Sequence, residues 1–159
     1  MKLKYTKFQV ALETIGLLLL VGMIVLVCTQ WNRIPQQVPM HYNVMGEIDK
    51  WGSKYEILFL PAIGILLYTF ITAVSFFPQI WNVPVKITDE NKEAVYFSAK
   101  DLFILIKVEI LAFFFYINYH TLTAQPLPIT FLPVFIIIFF GTIIFFTKRI
   151  IRLGKRIKA

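Results

Sequence analysis

Four side chains able to do chemistry sit within nine residues of one another: His41, Asn43, Glu47 and Asp49, in the segment WNRIPQQVPMHYNVMGEIDKWGSKYE over residues 31–56. An imidazole beside carboxylates can hold a divalent metal ion, or trade protons near neutral pH. The same residue types also make turns and solvate a loop, for backbone reasons alone. Their spacing is not that of HExxH or another established ligand motif, so both readings stay open. A second group is Glu109, Tyr116 and His120. On a helix the offsets of 7 and 11 residues bring these three to within about 20° of one face, with Ala112 and Phe113 close to the same line. One reading is a polar stripe that serves a ligand, an ion or a proton, with His120 meeting the 31–56 segment near His41. The other is a glutamic acid kept neutral, or bonded to a neighbouring helix, that holds helices together. His41, Asp49 and His120 are the candidate metal ligands, although no resident metal or other cofactor is expected. Nothing resembles a phosphate-binding loop, a nucleophile elbow or a redox cysteine pair.

The segment that carries the first group has the punctuation of an ordered loop. Pro35 and Pro39 fix extended steps and remove two amide donors. Gly46 and Gly52 supply turn positions. Between them Met40-His41-Tyr42-Asn43-Val44 alternates as a short strand or extended strip would, with His41 and Asn43 facing away from Tyr42. Trp31, Trp51 and Tyr55 are the kind of residue that anchors a chain at a membrane interface.

What must position these residues is a set of membrane spans. The chain has 159 residues, 58% of them hydrophobic and 16% charged, far from the quarter charged that is usual in soluble domains. The single cysteine, Cys28, excludes a disulfide scaffold and reads as a small apolar residue. Four blocks, at about 8–30, 57–77, 102–122 and 130–147, reach the ~20 apolar residues that cross a bilayer. The first is too long for the apolar core of a signal peptide and has no small-residue cleavage site after it, so it reads as a retained span. Pro61 and Pro133 fall in the first turns of their spans, where proline is tolerated. Gly16, Gly22, Gly64 and Gly141 suit close helix contact but form no GxxxG pair. The expected fold is an all-α membrane domain of four antiparallel transmembrane helices, a single domain over residues 1–159, with an ordered loop between the first two helices.

Lysine and arginine set the orientation. Lys2, Lys4 and Lys7, then Lys86, Lys92 and Lys100, then Lys148, Arg149, Arg152, Lys155, Arg156 and Lys158 put twelve cations on one side, against Arg33, Lys50 and Lys54 on the other. Both termini are therefore expected in the cytoplasm, with the 31–56 loop extracytoplasmic. The net charge of +7 sits beside the membrane, which points to anionic lipid and away from nucleic acid. The basic tail, 148–159, also carries Ile150, Ile151, Leu153 and Ile157, and reads as a frayed helix end along the headgroups. In the inner loop, Thr88 ahead of Asn91 and Lys92 marks a helix start, and 89–100 reads as an amphipathic segment on the cytoplasmic surface. Among the charges within spans, Lys107 is expected to snorkel back to the interface. Glu109 is too deep and too short to do so, and Glu13 lies near the start of the first span.

The run Pro39-x-His41-Tyr42-Asn43-x-x-Gly46-x-x-Asp49-x-Trp51-x-Ser53-Lys54, just after a first span and followed by Pro61 in the next, resembles the signature of a bacterial membrane domain of unknown function (the 1648 type). That domain stands at the N-terminal end of SdpI-like immunity proteins. The resemblance covers roughly residues 1–75. It carries over to Pro39, His41, Asn43, Gly46, Asp49, Gly52 and Lys54, to which the composition of the loop adds Glu47. It implies a cytoplasmic-membrane protein that protects a cell from a secreted toxic peptide; some members also relay the peptide's presence to a cytoplasmic repressor. After Phe77 nothing resembles the second signature of the longer members, so the likeness is to the shorter, single-domain ones.

The expected function is therefore non-enzymatic: recognition of a secreted peptide or a membrane partner through the outer loop. The alternatives are a small membrane enzyme, or a metal- or proton-handling protein, using His41, Asp49, Glu109 and His120. An accessory subunit of a transporter or sensor is a third class.

Overall fold

A computed structural model describes residues 3–155. Lys2, Arg156 and Lys158 of the charge argument, and Ile157 of the basic tail, lie outside the described residues. The order of elements is α1 (Lys7–Gln30), β1 (Gln37–Tyr42), β2 (Ile48–Ser53), a 3-10 turn (Lys54–Leu58), α2 (Phe59–Ser75), a second short turn (Pro78–Ile80), α3 (Lys92–Thr123) and α4 (Phe131–Lys155). Among the described residues, four helices are long and apolar enough to cross a membrane.

Each helix end has a local cause. Thr6 and Gln9 form a capping box: the Gln9 amide donates to Thr6 Oγ1 at 3.1 Å, and the Thr6 amide donates to Gln9 Oε1 at 3.2 Å. Thr88 and Asn91 exchange the same pair of bonds ahead of α3 (2.9 and 3.3 Å), which supports the expected helix start. α3 ends at Ala124, in the left-handed region at φ 50°. The Gln125 amide then donates to His120 O at 3.0 Å, closing the last turn.

α3 is the central element. It contacts α1 from Gln9, whose Nε2 donates to Asp101 Oδ1 at 2.7 Å, to Val27 and Leu122 in one apolar cluster at the other end. Small residues let the helices close: a Cβ at Gly16 would touch Val108 and Leu111, and one at Gly64 would touch Leu20 and Met23. Three apolar clusters stack along the molecule. Val27, Ile34, Val38 and Ile57 lie under the hairpin. Leu20, Met23 and Leu111 fill the middle. Trp81, Val95, Ala99 and Ile150 close the other, basic end.

Three expectations are corrected. The fold is not purely helical, because residues 37–53 form a two-stranded antiparallel hairpin. The alternation over 40–44 foretold β1. β2 has no alternation to read, since Asp49, Lys50 and Trp51 are all exposed in succession. Residues 89–100 are not a surface segment either: from Lys92 they are the first turns of a 32-residue α3, with Val95 and Ser98 fully buried. The basic tail is not frayed within the described residues. α4 runs on to Lys155 because Ile150 packs on Trp81, Val95 and Ala99.

Candidate functional site

The hairpin is held at three points. At its root, Lys54 Nζ donates to the Trp31 carbonyl at 2.5 Å, one of the unsatisfied carbonyls that close α1, and lies 4.4 Å from the centre of the Trp31 ring. Tyr55 packs on the same ring, 5.8 Å between centroids. Ser53 and Glu56 form a capping box that starts the 3-10 turn into α2. At the tip, Asn43 Oδ1 accepts from the amides of Met45 (2.9 Å) and Glu47 (3.0 Å), an Asx turn. Gly46 there has φ 82°, and its carbonyl accepts from the Leu127 amide at 2.8 Å. A Cβ at Gly46 would collide with the Leu127 backbone, and one at Gly52 with Met40 and Glu56. Both glycines are therefore required by close approach.

Within this frame the predicted residues form two pairs rather than one centre. His41 Nδ1 and Asp49 Oδ1 are 2.6 Å apart across the two strands, on the exposed face. Asn43 Nδ2 donates to Glu47 Oε2 at 2.9 Å, which belongs to the turn. His41 does not meet α3. The hairpin residue that does is Tyr42, whose hydroxyl is 3.4 Å from Thr121 Oγ1; burial pushes the Tyr42 phenol above its ordinary pKa. His120 instead packs at a tilt against Tyr116, 4.5 Å between centroids and 41° between planes, and edges Tyr119. The stripe of Glu109 and Tyr116 faces α4: Thr142 Oγ1 donates to Glu109 Oε1 at 2.6 Å, and Tyr116 stacks on Phe131 at 4.3 Å. Among the described residues, no group of three or more His, Cys, Asp and Glu side chains is placed to hold a metal ion. His41 and Asp49 have each other, and His120 does not join them.

Lys107 does not snorkel. It is fully buried and its ammonium is spent on three acceptors: Glu13 Oε1 (2.8 Å), Glu13 Oε2 (2.6 Å) and Thr72 Oγ1 (2.7 Å). Its Nζ also lies 4.4 Å from the centre of the Tyr68 ring. The pair ties α1, α2 and α3 together.

Beneath the hairpin lies a cleft of about 370 Å³, within the size range of ligand sites. Its roof is β1 and the turn, from Pro39 to Val44, with Leu127 and Ile129 from the α3–α4 connection. Its floor and walls are Ile57 from the 3-10 turn, Phe59 and Leu60 from the start of α2, Phe113, Ile117 and Asn118 from α3, and Phe131 and Leu132 from α4. The surface is mostly apolar. Thr121 and Asn118 are its buried polar residues, Asn118 at 1% exposure. Its Nδ2 donates to the Ile57 carbonyl at 3.2 Å, while its Oδ1 is buried with no partner. Sequence reasoning misses both Asn118 and Thr121 as site residues; the available signal for Asn118 is an amide within the end of the third span nearest the hairpin.

Residues 18–65 match the family model for a domain of unknown function (DUF1648). The matched DUF1648 stretch runs from the middle of α1 through the whole hairpin into the first turns of α2, so the β1 and turn part of the roof and the α2 wall of the cleft lie inside it. An uncharacterized protein of Archaeoglobus fulgidus is 36% identical over 62 residues, 34% of this chain and 34% of that one. The chain thus spans about a third of the length of this curated relative. No solved structure matches.

Proposed function

We propose that this chain is a multi-pass protein of a bacterial cytoplasmic membrane that presents its hairpin outside the cell and recognises a secreted peptide there, as an immunity protein does. In this reading the four spans run antiparallel and both termini are cytoplasmic. The cations of the opposite end, Lys148, Arg149 and Arg152 beside Phe145 and Leu153, meet anionic headgroups. The observation that carries the proposal is the rigid hairpin itself. The DUF1648 motif residues make its turn, its root and its cross-strand pair, and together they roof an apolar cleft at the level where the spans end. A recognition surface needs such preorganisation, which lowers the ordering cost of binding.

A complementation assay tests it. The native host deleted for this chain is grown in its own spent culture medium, alone, with the wild-type chain, or with the chain carrying His41→Ala together with Asp49→Ala. Membrane levels are checked by immunoblot. The deletion should cut survival and the wild-type chain should restore it, whereas the double substitution should not. Equal survival of the deletion strain, or full protection by the double variant at equal membrane level, overturns the reading.

A further inference from the structure

The cleft and the strand above it say what kind of ligand fits. β1 hydrogen-bonds to β2 along one edge only, and among the described residues its other edge has no backbone partner. An open strand edge is a template for one more strand. The residues of β1 from Pro39 to Tyr42 also line the cleft, so a chain added there would have its side chains beside Ile117, Phe113 and Leu132. The cleft floor holds Asn118 Oδ1, buried and without a donor. An unmet buried acceptor of this kind is costly and calls for a donor. The rim is apolar, with Val44 at the hairpin tip 77% exposed. An acyl chain would cover the apolar walls, yet it could use neither the free backbone edge nor Asn118.

We infer that the cleft is a groove for an extended peptide segment with apolar side chains, added as a third strand on the free edge of β1, with one N–H or O–H of the segment donated to Asn118 Oδ1. The irregular register between Pro39 and Tyr42, and the missing N–H of Pro39, keep the added strand short. This deepens the proposed recognition of a secreted peptide and rests on it for the origin of the ligand; the groove itself does not depend on which side of the membrane it faces.

The test uses the full chain in nanodiscs, with the photo-crosslinking residue p-benzoylphenylalanine in place of Val44. Three probes are compared: a ten-residue peptide of alternating valine and threonine, the same peptide N-methylated at alternate residues, and palmitate. The plain peptide should be captured, and N-methylation in the pairing register should lower its apparent affinity about tenfold or more, as should Asn118→Leu. Ile117→Trp or Leu132→Trp, each filling the groove, should abolish capture, while Ile137→Trp on the exposed face of α4 should leave it unchanged. Capture of palmitate in preference to peptide, equal capture of the plain and N-methylated peptides, insensitivity to both groove-filling variants, or no capture of the plain peptide overturns the inference. Capture as expected alongside an unprotected or unaffected host would instead remove the immunity reading and leave the groove standing.

Discussion

The residue with most at stake is Lys107. A buried ammonium is tolerable only because Glu13 and Thr72 take all three of its hydrogens. Removing one partner of such a pair leaves an uncompensated charge, at a cost of about 3–5 kcal/mol, whereas replacing both by apolar groups of like volume costs little. Glu13→Leu is therefore expected to destabilise the protein strongly, and Glu13→Leu combined with Lys107→Met to recover most of the loss. Unfolding in detergent micelles, followed by helicity, measures both; a double variant as weak as the single one would show that packing, not charge, holds this site. The pairing was half visible in the sequence. Glu13 is six residues beyond Lys7 and Lys107 six beyond Asp101, which puts them at one depth if both helices start from one side. Considered singly, Lys107 has a stem long enough to escape, and only the opposing carboxylate decides that it stays. The motif at 39–54 gave the opposite lesson. Its residue types mark an ordered segment, but their pairing is not legible. The strand crossing brings His41 to Asp49, whereas Asn43 and Glu47 close the turn.

At the scale of elements, helices with long apolar runs were readable to within a turn or two, and the exceptions have physical reasons. The first turns of α3 looked like a surface amphipath because they are charged; they are buried because Trp81 and Ile150 cover them, a tertiary contact no local pattern encodes. β2 was missed because both its faces are wet. The connections make two predictions. Ala124 closes α3 at φ 50°, a conformation that costs an L-residue about 1–2 kcal/mol and glycine almost nothing. Ala124→Gly should therefore raise stability by about 1 kcal/mol in the same unfolding measurement. A value at or below zero would mean that the closing turn is not under strain. Gly46→Ala should act the other way, since it adds backbone strain of about 1–3 kcal/mol and pushes Leu127 off the hairpin tip. Limited proteolysis should then cut the 43–47 turn faster than in the wild type, with the helices still intact. Unchanged cleavage would show that the Gly46 carbonyl bond to Leu127 does not hold the tip.

At the scale of the whole molecule, charge and apolar surface are divided along one axis. The hairpin end has the aromatic residues Trp31, Trp51 and Tyr55 and an apolar cleft, and the other end has Lys148, Arg149 and Arg152 on the last turns of α4. Between them the exposed residues of α4 are almost all apolar, Ile137 and Phe145 among them, as a lipid-facing surface requires. The asymmetry of lysine and arginine is the ground for expecting the basic end in the cytoplasm, and accessibility in cells decides it. In a Cys28→Ser background, Val44→Cys places one thiol at the exposed hairpin tip, and a cysteine appended after Ala159 places one at the chain's end. A membrane-impermeant maleimide applied to intact cells should label the first and not the second; after permeabilisation it should label both. The reverse pattern would turn the molecule over. The groove would then face the cytosol, and a peptide reaching it would have to be made inside the cell.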